Sequence, residues 1–329
     1  MNTSYLATGM PHFIRRSVFL IAGLGCAGLG VAAVDSQLSY PTDDNPSADE
    51  VARQVHFANH FFGFKNFSVD RHSRTMALLI IRNSDGSILR AGIERHLNNN
   101  YAPGDEIESR DLAMFHSGTL RGTGILVTSY RDDDRNNSYD IWLPSLRKVR
   151  RFAQPDQSEP WGGSVFTFGD VSLRRPTDET HEILGRKKFR TCLGTMEEIE
   201  GMPFVHVGRL PQRACRHIGK EVYAIKSTTR FQHWWYDYRM SFVDTRSFAD
   251  YRTVYFKDGR MVKIIDRDWG VVDRAGKSDP RALFWKYWYG ADLVSGRESW
   301  AVVPEQTIAF DTDRDNAFWS DRTLRRLNR

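Results

Sequence analysis

Along the chain, the spacing of hydrophobic and polar positions opens with a helical rhythm and then passes to a long stretch of strand rhythm. Ser47-Ala-Asp-Glu50 is a capping-box pattern, and Val51, Val55, Ala58 and Phe62 follow at helical spacing. This predicts a first helix from Ser47 to about Phe62. From there to about Asp268 the pattern prefers strands. Residues 76–81 form an apolar run that reads as a buried strand, and Ser84-Asp85-Gly86-Ser87 turns it into residues 88–93. Residues 125–130 and 139–143 flank a polar tip, 131–138. Residues 238–243 pair naturally with 249–256, and Lys257-Asp258-Gly259-Arg260 turns the chain into 261–265. Residues 165–168 read as a short strand, 281–289 as a helix aromatic nearly all round, and 300–310 as one further strand. Consecutive hairpins build an antiparallel meander, because neighbours in sequence pair without crossovers. No repeat of fixed period interrupts it.

The segment before the first helix has a different character. Arg15 and Arg16 precede an uncharged run from Ser17 to Val34, and Val31-Ala32-Ala33 places small residues at −3 and −1. That order predicts a signal peptide over residues 1–33, cleaved after Ala33, with retention as an anchor the competing reading. Residues 34–46 are polar and proline-containing and read as a linker, so 47–329 is expected as a single domain with a C-terminal extension from about 280. Gly23-Leu-Gly25-Cys-Ala-Gly28 fits a dinucleotide fingerprint, but it lies inside the apolar run with no strand before it. Export predicts a periplasmic protein. It also leaves two cysteines, Cys192 and Cys215, which points to a disulfide.

Composition adds one useful fact. Nine Trp, twelve Tyr and twenty Phe in 329 residues are an aromatic surplus within an otherwise ordinary folded composition. The net charge is +5, two of which are Arg15 and Arg16, and charges of both signs alternate throughout. Nucleic acid is therefore excluded as an expected partner.

Candidate chemistry is sparse. His56 and His60 stand four apart on the first helix, but the Glu of H-E-x-x-H is missing and no third ligand is evident. Asp132-x-Asp134-x-Asn136 and Asp311-x-Asp313-x-Asp315 lack the glycine and glutamate of a calcium loop, so no metal site is expected. Gly162-Gly163-Ser164-Val165-Phe166 approaches a hydrolase elbow, with Phe166 where the last glycine belongs. An esterase using Ser164 is thus an alternative to the main expectation, which is a binding protein with no catalytic residue and no cofactor. A curved sheet with an apolar inner face can hold a lipid chain, each buried methylene contributing about 0.8 kcal/mol. Ordinary core packing accounts for the same residues equally well on composition alone.

Several segments together resemble the LolA-like family of outer-membrane lipoprotein-sorting proteins. They are Leu120-Arg121-Gly122-Thr123-Gly124, the block Trp142-Leu143-Pro144-x-Leu146-x-x-Val149-Arg150-Arg151, and Gly162-Gly163-Ser164-Val165-Phe166-Thr167-Phe168. Glu221 to Ile225, Phe242 to Phe248, the Lys257-Asp258-Gly259 turn and Trp319 to Arg326 complete the likeness, which spans essentially all of the mature chain. The Trp-Leu-Pro block is its most specific part. The resemblance implies a mainly β fold with some α structure: an open, strongly curved antiparallel half-barrel closed by helices. It implies handling of lipid or lipoprotein acyl chains between inner and outer membranes, sometimes beside an RND-type exporter. In that frame Trp142, Phe166 and Phe168 are expected in the apolar wall. Arg147, Arg150 and Arg151 are expected at a rim that meets headgroups or a partner. The remaining alternative is a non-carrying adaptor that docks on an exporter or the outer membrane through Phe284, Trp285 and Trp288.

Overall fold

The structure, a computed structural model, describes residues 37–72, 75–132, 134–172, 174–194, 214–271 and 277–327. Residues 1–36, with the expected signal peptide, lie outside the described residues. Helix α1 (Ala48–Asn59) starts where the capping pattern places it, with the Ser47 hydroxyl accepting from the Glu50 N–H at 3.2 Å. Short β1 (Asn66–Val69) precedes a meander of β2 (Ala77–Arg82), β3 (Ile88–Asn98), β4 (Ile107–Phe115), β5 (Gly124–Tyr130), β6 (Ser138–Leu143) and β7 (Lys148–Phe152). After the four-residue helix α2 (Phe168–Val171) comes a second meander. It comprises β8 (Glu179–Lys188), β9 (Glu221–Thr229), β10 (Tyr238–Asp244), β11 (Asp250–Lys257), β12 (Arg260–Val271), β13 (Leu283–Asp292) and β14 (Glu298–Val302). Strand β15 (Ile308–Phe310) and helix α3 (Asp321–Leu327) follow.

The first strand of one meander pairs with the last strand of the other, Ile80 opposite Trp300. The sheet therefore runs from β7 through β2, across to β14, and on to β8, with β1 paired to β3 and β15. Among the described residues edges β7 and β8 have no further strand partner, so the sheet is open, and it is antiparallel throughout as expected. Register irregularities near Ser109, Gly185, Val243, Phe256 and Trp269 supply local bends. Cations line the exposed edges, Lys148 and Arg150 on β7 and Lys187 and Lys188 on β8, a charge pattern that discourages edge-to-edge pairing.

Three expectations change. Residues 281–289 are not a helix: most of them are β13, a central strand whose Leu283, Phe284, Trp285, Tyr287 and Trp288 are all buried. A strand covered on both faces has no alternation to read. Residues 300–310 are two strands, split by Pro304 and a 3₁₀ turn at Glu305–Thr307. Residues 165–168 are a loop entering α2, with the Thr167 N–H bonded to the Asp170 carboxylate at 2.9 Å. The Cys192–Cys215 disulfide is present. Residues 38–46 lie against the domain. Tyr40 donates to the Arg246 carbonyl at 2.8 Å, and the carbonyls of Leu38 and Ser39 accept from Arg281 and Gln54.

Candidate functional site

Register carries one face of the sheet without a break from β9 to β4. Its residues run from Ser227 and Arg239 through Tyr255, Lys263, Trp288 and Ala301 to Ala77, Ile93 and Ala113. Residues 161–172, which include α2, lie over this face. Gly162 and Gly163 take φ of 58° and 77°, a left-handed pair that only glycine adopts freely. Arg297 donates to the Gly163 carbonyl at 2.6 Å, and the Ser299 hydroxyl accepts from the Val165 N–H at 3.1 Å. On β13 a side chain at Gly290 would come within 2.6 Å of Val165 and 2.8 Å of Phe166. The missing Cβ at Gly290 is what lets Phe166 seat against the sheet.

Between this segment and the first meander lies an apolar cavity enclosing about 910 Å³, its mouth included. Phe67, Ile93, Ala113, Ile125, Val127 and Tyr139 form one wall, with alternate residues of each strand facing in. Phe284, Trp285, Trp288 and Ala301 form another, and Trp161, Phe166, Phe168 and Val171 close it. Phe166 meets Trp288 edge-on at 5.6 Å and Phe168 meets Tyr139 edge-on at 6.0 Å. The charged residues in the lining are Arg95 and Asp111, joined by a forked pair of 2.6–3.1 Å, so that pair leaves no net charge. The indole N–H groups of Trp285 and Trp288 are buried without an acceptor among the described residues.

Phe166 and Phe168 thus line the cavity, although they reach it from a loop and a helix instead of a strand. Trp142 does not. In the β5–β6 register it shares its face with Leu126 and Asp140, the side opposite Tyr139 and Val127. There it packs with Leu112, Met114, Trp319 and Leu324. The basic run divides as follows. Arg147 sits in the turn before β7 with φ of 50°, Arg150 faces the cavity side, and Arg151 faces away, forked onto Asp140 at 2.9 and 3.2 Å. None of the three lines the cavity. Phe284, Trp285 and Trp288, considered for docking, are buried in the wall. Sequence reading missed Tyr139, Trp161 and Phe67 as wall residues. Tyr139 alone carried a signal, being two positions before Ile141 on the strand face opposite Trp142.

Ser164 is 1% exposed, and its hydroxyl donates to the Trp161 carbonyl at 2.6 Å and accepts from the Phe166 N–H at 3.2 Å. It is a turn-forming serine. Burial holds His56 well below the ordinary imidazole range and lowers His60 to about 3. Asp70, Glu94 and His96 offer ligand atoms within 4.8 Å of one another, a cluster the sequence did not reveal. The Arg314 guanidinium reaches Asp70 at 3.4 Å and His96 at 3.5 Å, placing a cation against that cluster already. Asp311 accepts from the Lys65 N–H at 2.6 Å and pairs with Lys277, so its acidic repeat serves as a structural turn.

The fold is shared with known structures. A domain ascribed to outer-membrane lipoprotein sorting from Vibrio parahaemolyticus superposes with a TM-score of 0.60 at 14% identity, over 84% of this chain and 98% of that one. The fold is LolA-like. A DUF1329 family protein from Desulfovibrio piger superposes on this LolA-like sheet with a TM-score of 0.61 at 14% identity, over 85% and 100% of the two chains. A family model described only as an uncharacterized protein matches residues 108–195, the stretch of the LolA-like sheet from β4 through β8. No curated protein matches the sequence.

Proposed function

We propose that this chain is an exported, non-enzymatic carrier that takes the acyl chain of a lipid or lipoprotein into the apolar cavity for transfer between inner and outer membrane. The observation that carries this reading is the lining of the cavity, aromatic and aliphatic side chains around one neutral ion pair. An acyl chain needs apolar wall area and no reactive group, and an ester or amide carbonyl on the bound lipid would satisfy the free Trp285 and Trp288 donors. The disulfide favours export to an oxidising compartment, the periplasm. Arg147 and Arg150, beside the open edge, are the residues we assign to headgroups or to an inner-membrane exporter of the RND type.

Protein purified without detergent should carry lipid in a native mass spectrum and should bind a fluorescent fatty-acid probe. Phe168→Asp places a charge in the wall without a partner and should abolish probe binding while circular dichroism stays unchanged. A folded variant that binds as well as the parent would refute the assignment.

A further inference from the structure

The same concave face holds a second cavity of different character, over β9–β12 and under α1, enclosing about 590 Å³ with its mouth. Arg174, Arg239 and Arg267 line it, with Asp170 and Asp250 opposite. Arg239 is forked onto Glu179 at 2.6–3.1 Å, and Arg267 pairs with Asp250 at 2.5 Å. Asp170 serves two cations at once, Arg174 at 2.8 Å and Lys263 at 2.5 Å, and also accepts from the Tyr255 hydroxyl and the Thr167 N–H. Burial raises the Asp170 pKa, but Lys263 and Arg174 outweigh it and hold the carboxylate ionised. Asp292, opposite Lys263 in the β12–β13 register, adds a fourth carboxylate to these four cations, and the Arg174 and Lys263 side chains are 5% and 6% exposed.

The hydrogen bonds are less complete than the ion pairs, with the Asn59 Oδ1 acceptor on the same lining also lacking a partner among the described residues. The Nε–H groups of Arg174 and Arg267 are buried and meet no acceptor among the described residues. A guanidinium N–H can only donate, so each calls for an electron-rich oxygen. His181 does not supply one: its Nε2 donates to the Pro176 carbonyl and its Nδ1 accepts from the Ser227 hydroxyl.

We propose that this polar cavity binds an oxyanion, a carboxylate or a phosphate, through the Nε–H groups of Arg174 and Arg267. The anion supplies the acceptor that both Nε–H groups lack. Its source is either a free anion or the headgroup of an amphiphile in the neighbouring apolar cavity. The two spaces are close: Phe168 and Val171 of α2 line the apolar one, while Gly169 and Asp170 line the polar one. The Arg267 guanidinium also lies 4.3 Å above the ring of Trp288, an apolar-wall residue. The headgroup source rests on the carrier reading, whereas the free-anion source stands without it.

The test is calorimetric titration of the mature chain at low ionic strength with inorganic phosphate, sodium palmitate and uncharged methyl palmitate. Arg267→Met alone strands Asp250, so the comparison variant is Arg267→Met with Asp250→Asn, which removes the pair together; circular dichroism confirms its fold. Phosphate binding that weakens at least tenfold in the double variant supports a free-anion site. Palmitate binding at least tenfold tighter than methyl palmitate, with that preference lost in the variant, supports a headgroup site. Absence of both phosphate binding and charge preference would overturn the proposal, as would phosphate binding that the variant leaves unchanged. Methyl palmitate reports on the apolar cavity alone, so its failure to bind counts against the carrier reading only.

Discussion

The two halves of the concave face solve the same packing problem in opposite ways. Over β2–β6 the inward positions are Ile93, Ala113, Ile125 and Val127, and the space above them is left apolar and open. Over β9–β12 the inward positions include Arg239, Lys263 and Arg267, and the space above is crossed by ion pairs. One face of one sheet thus changes solvent character at β13, where Trp288 carries apolar cavity on one side and the Arg267 guanidinium on the other. An apolar wall left without a partner loses packing but strands no charge. Buried charges cannot be left so, because an unpaired ion in low dielectric is strongly destabilising. The difference teaches that the charged half is held by its own pairs, whereas the apolar half is the part that the proposed carrier function would empty and fill.

Breaking the charged half should therefore cost most. Asp170→Asn removes the counter-ion of both Arg174 and Lys263 and should lower stability by about 3–5 kcal/mol, read from urea denaturation. A loss below 1 kcal/mol, on the order of a surface pair, would dissolve the contrast. In the apolar half, Gly290→Val forces Val165 and Phe166 off the sheet; overpacking of this kind costs about 1–3 kcal/mol. Because Phe166 moves toward the cavity, fatty-acid binding should fall further than stability does.

Acidification probes the buried titratable groups on both sides. His60 is held neutral down to about 3 and His56 is lowered by burial, whereas the unfolded imidazoles protonate near 6.5. Below that value the unfolded chain takes up protons that the folded one refuses, so stability falls as pH drops, by on the order of 1 kcal/mol for His60 between about pH 7 and 5.5. Glu179 extends the loss. Burial opposes its ionisation, but Arg239 holds it ionised to about 2 against an ordinary 4.5, so its contribution fades as pH falls through that range. His60→Gln should flatten the upper part of the profile in urea midpoints measured across pH. The smallest effect is expected at Arg151→Ala. Its pair with Asp140 lies on the outer face with Arg151 74% exposed, and less than about 1 kcal/mol should be lost.

The hairpins were legible because their turns are chemically explicit: Asp258-Gly259 has φ of 48° and 72° and links β11 to β12 as expected. The wall was legible only in part. Alternation assigns Trp142 and Tyr139 to opposite faces, but it does not say which face is concave, because α3 and Trp319 bury the outer one as well. The charged cavity left almost no trace, since Asp170, Arg239, Asp250 and Arg267 are scattered and each looks like a solvated polar residue. One signal was available. Asp266-Arg267-Asp268 interrupts a strand between Ile265 and Trp269, where solvated charge is out of place.

The pairing of β2 with β14 sets the order in which the chain can acquire its structure. Each meander is made of local hairpins and can zip up soon after its own residues are available. Their common seam brings Leu79 opposite Ala301, across more than two hundred residues of intervening chain. Closing so distant a contact is slow, because the entropy of the long loop is lost before the pairing compensates it. Until then β2 and β14 are two exposed apolar edges, and the groove has no floor between them. A nascent chain lacking its last thirty-odd residues has β2 with nothing to pair on that side. The molecule is therefore completed from its ends inward, and the seam is the last stitch.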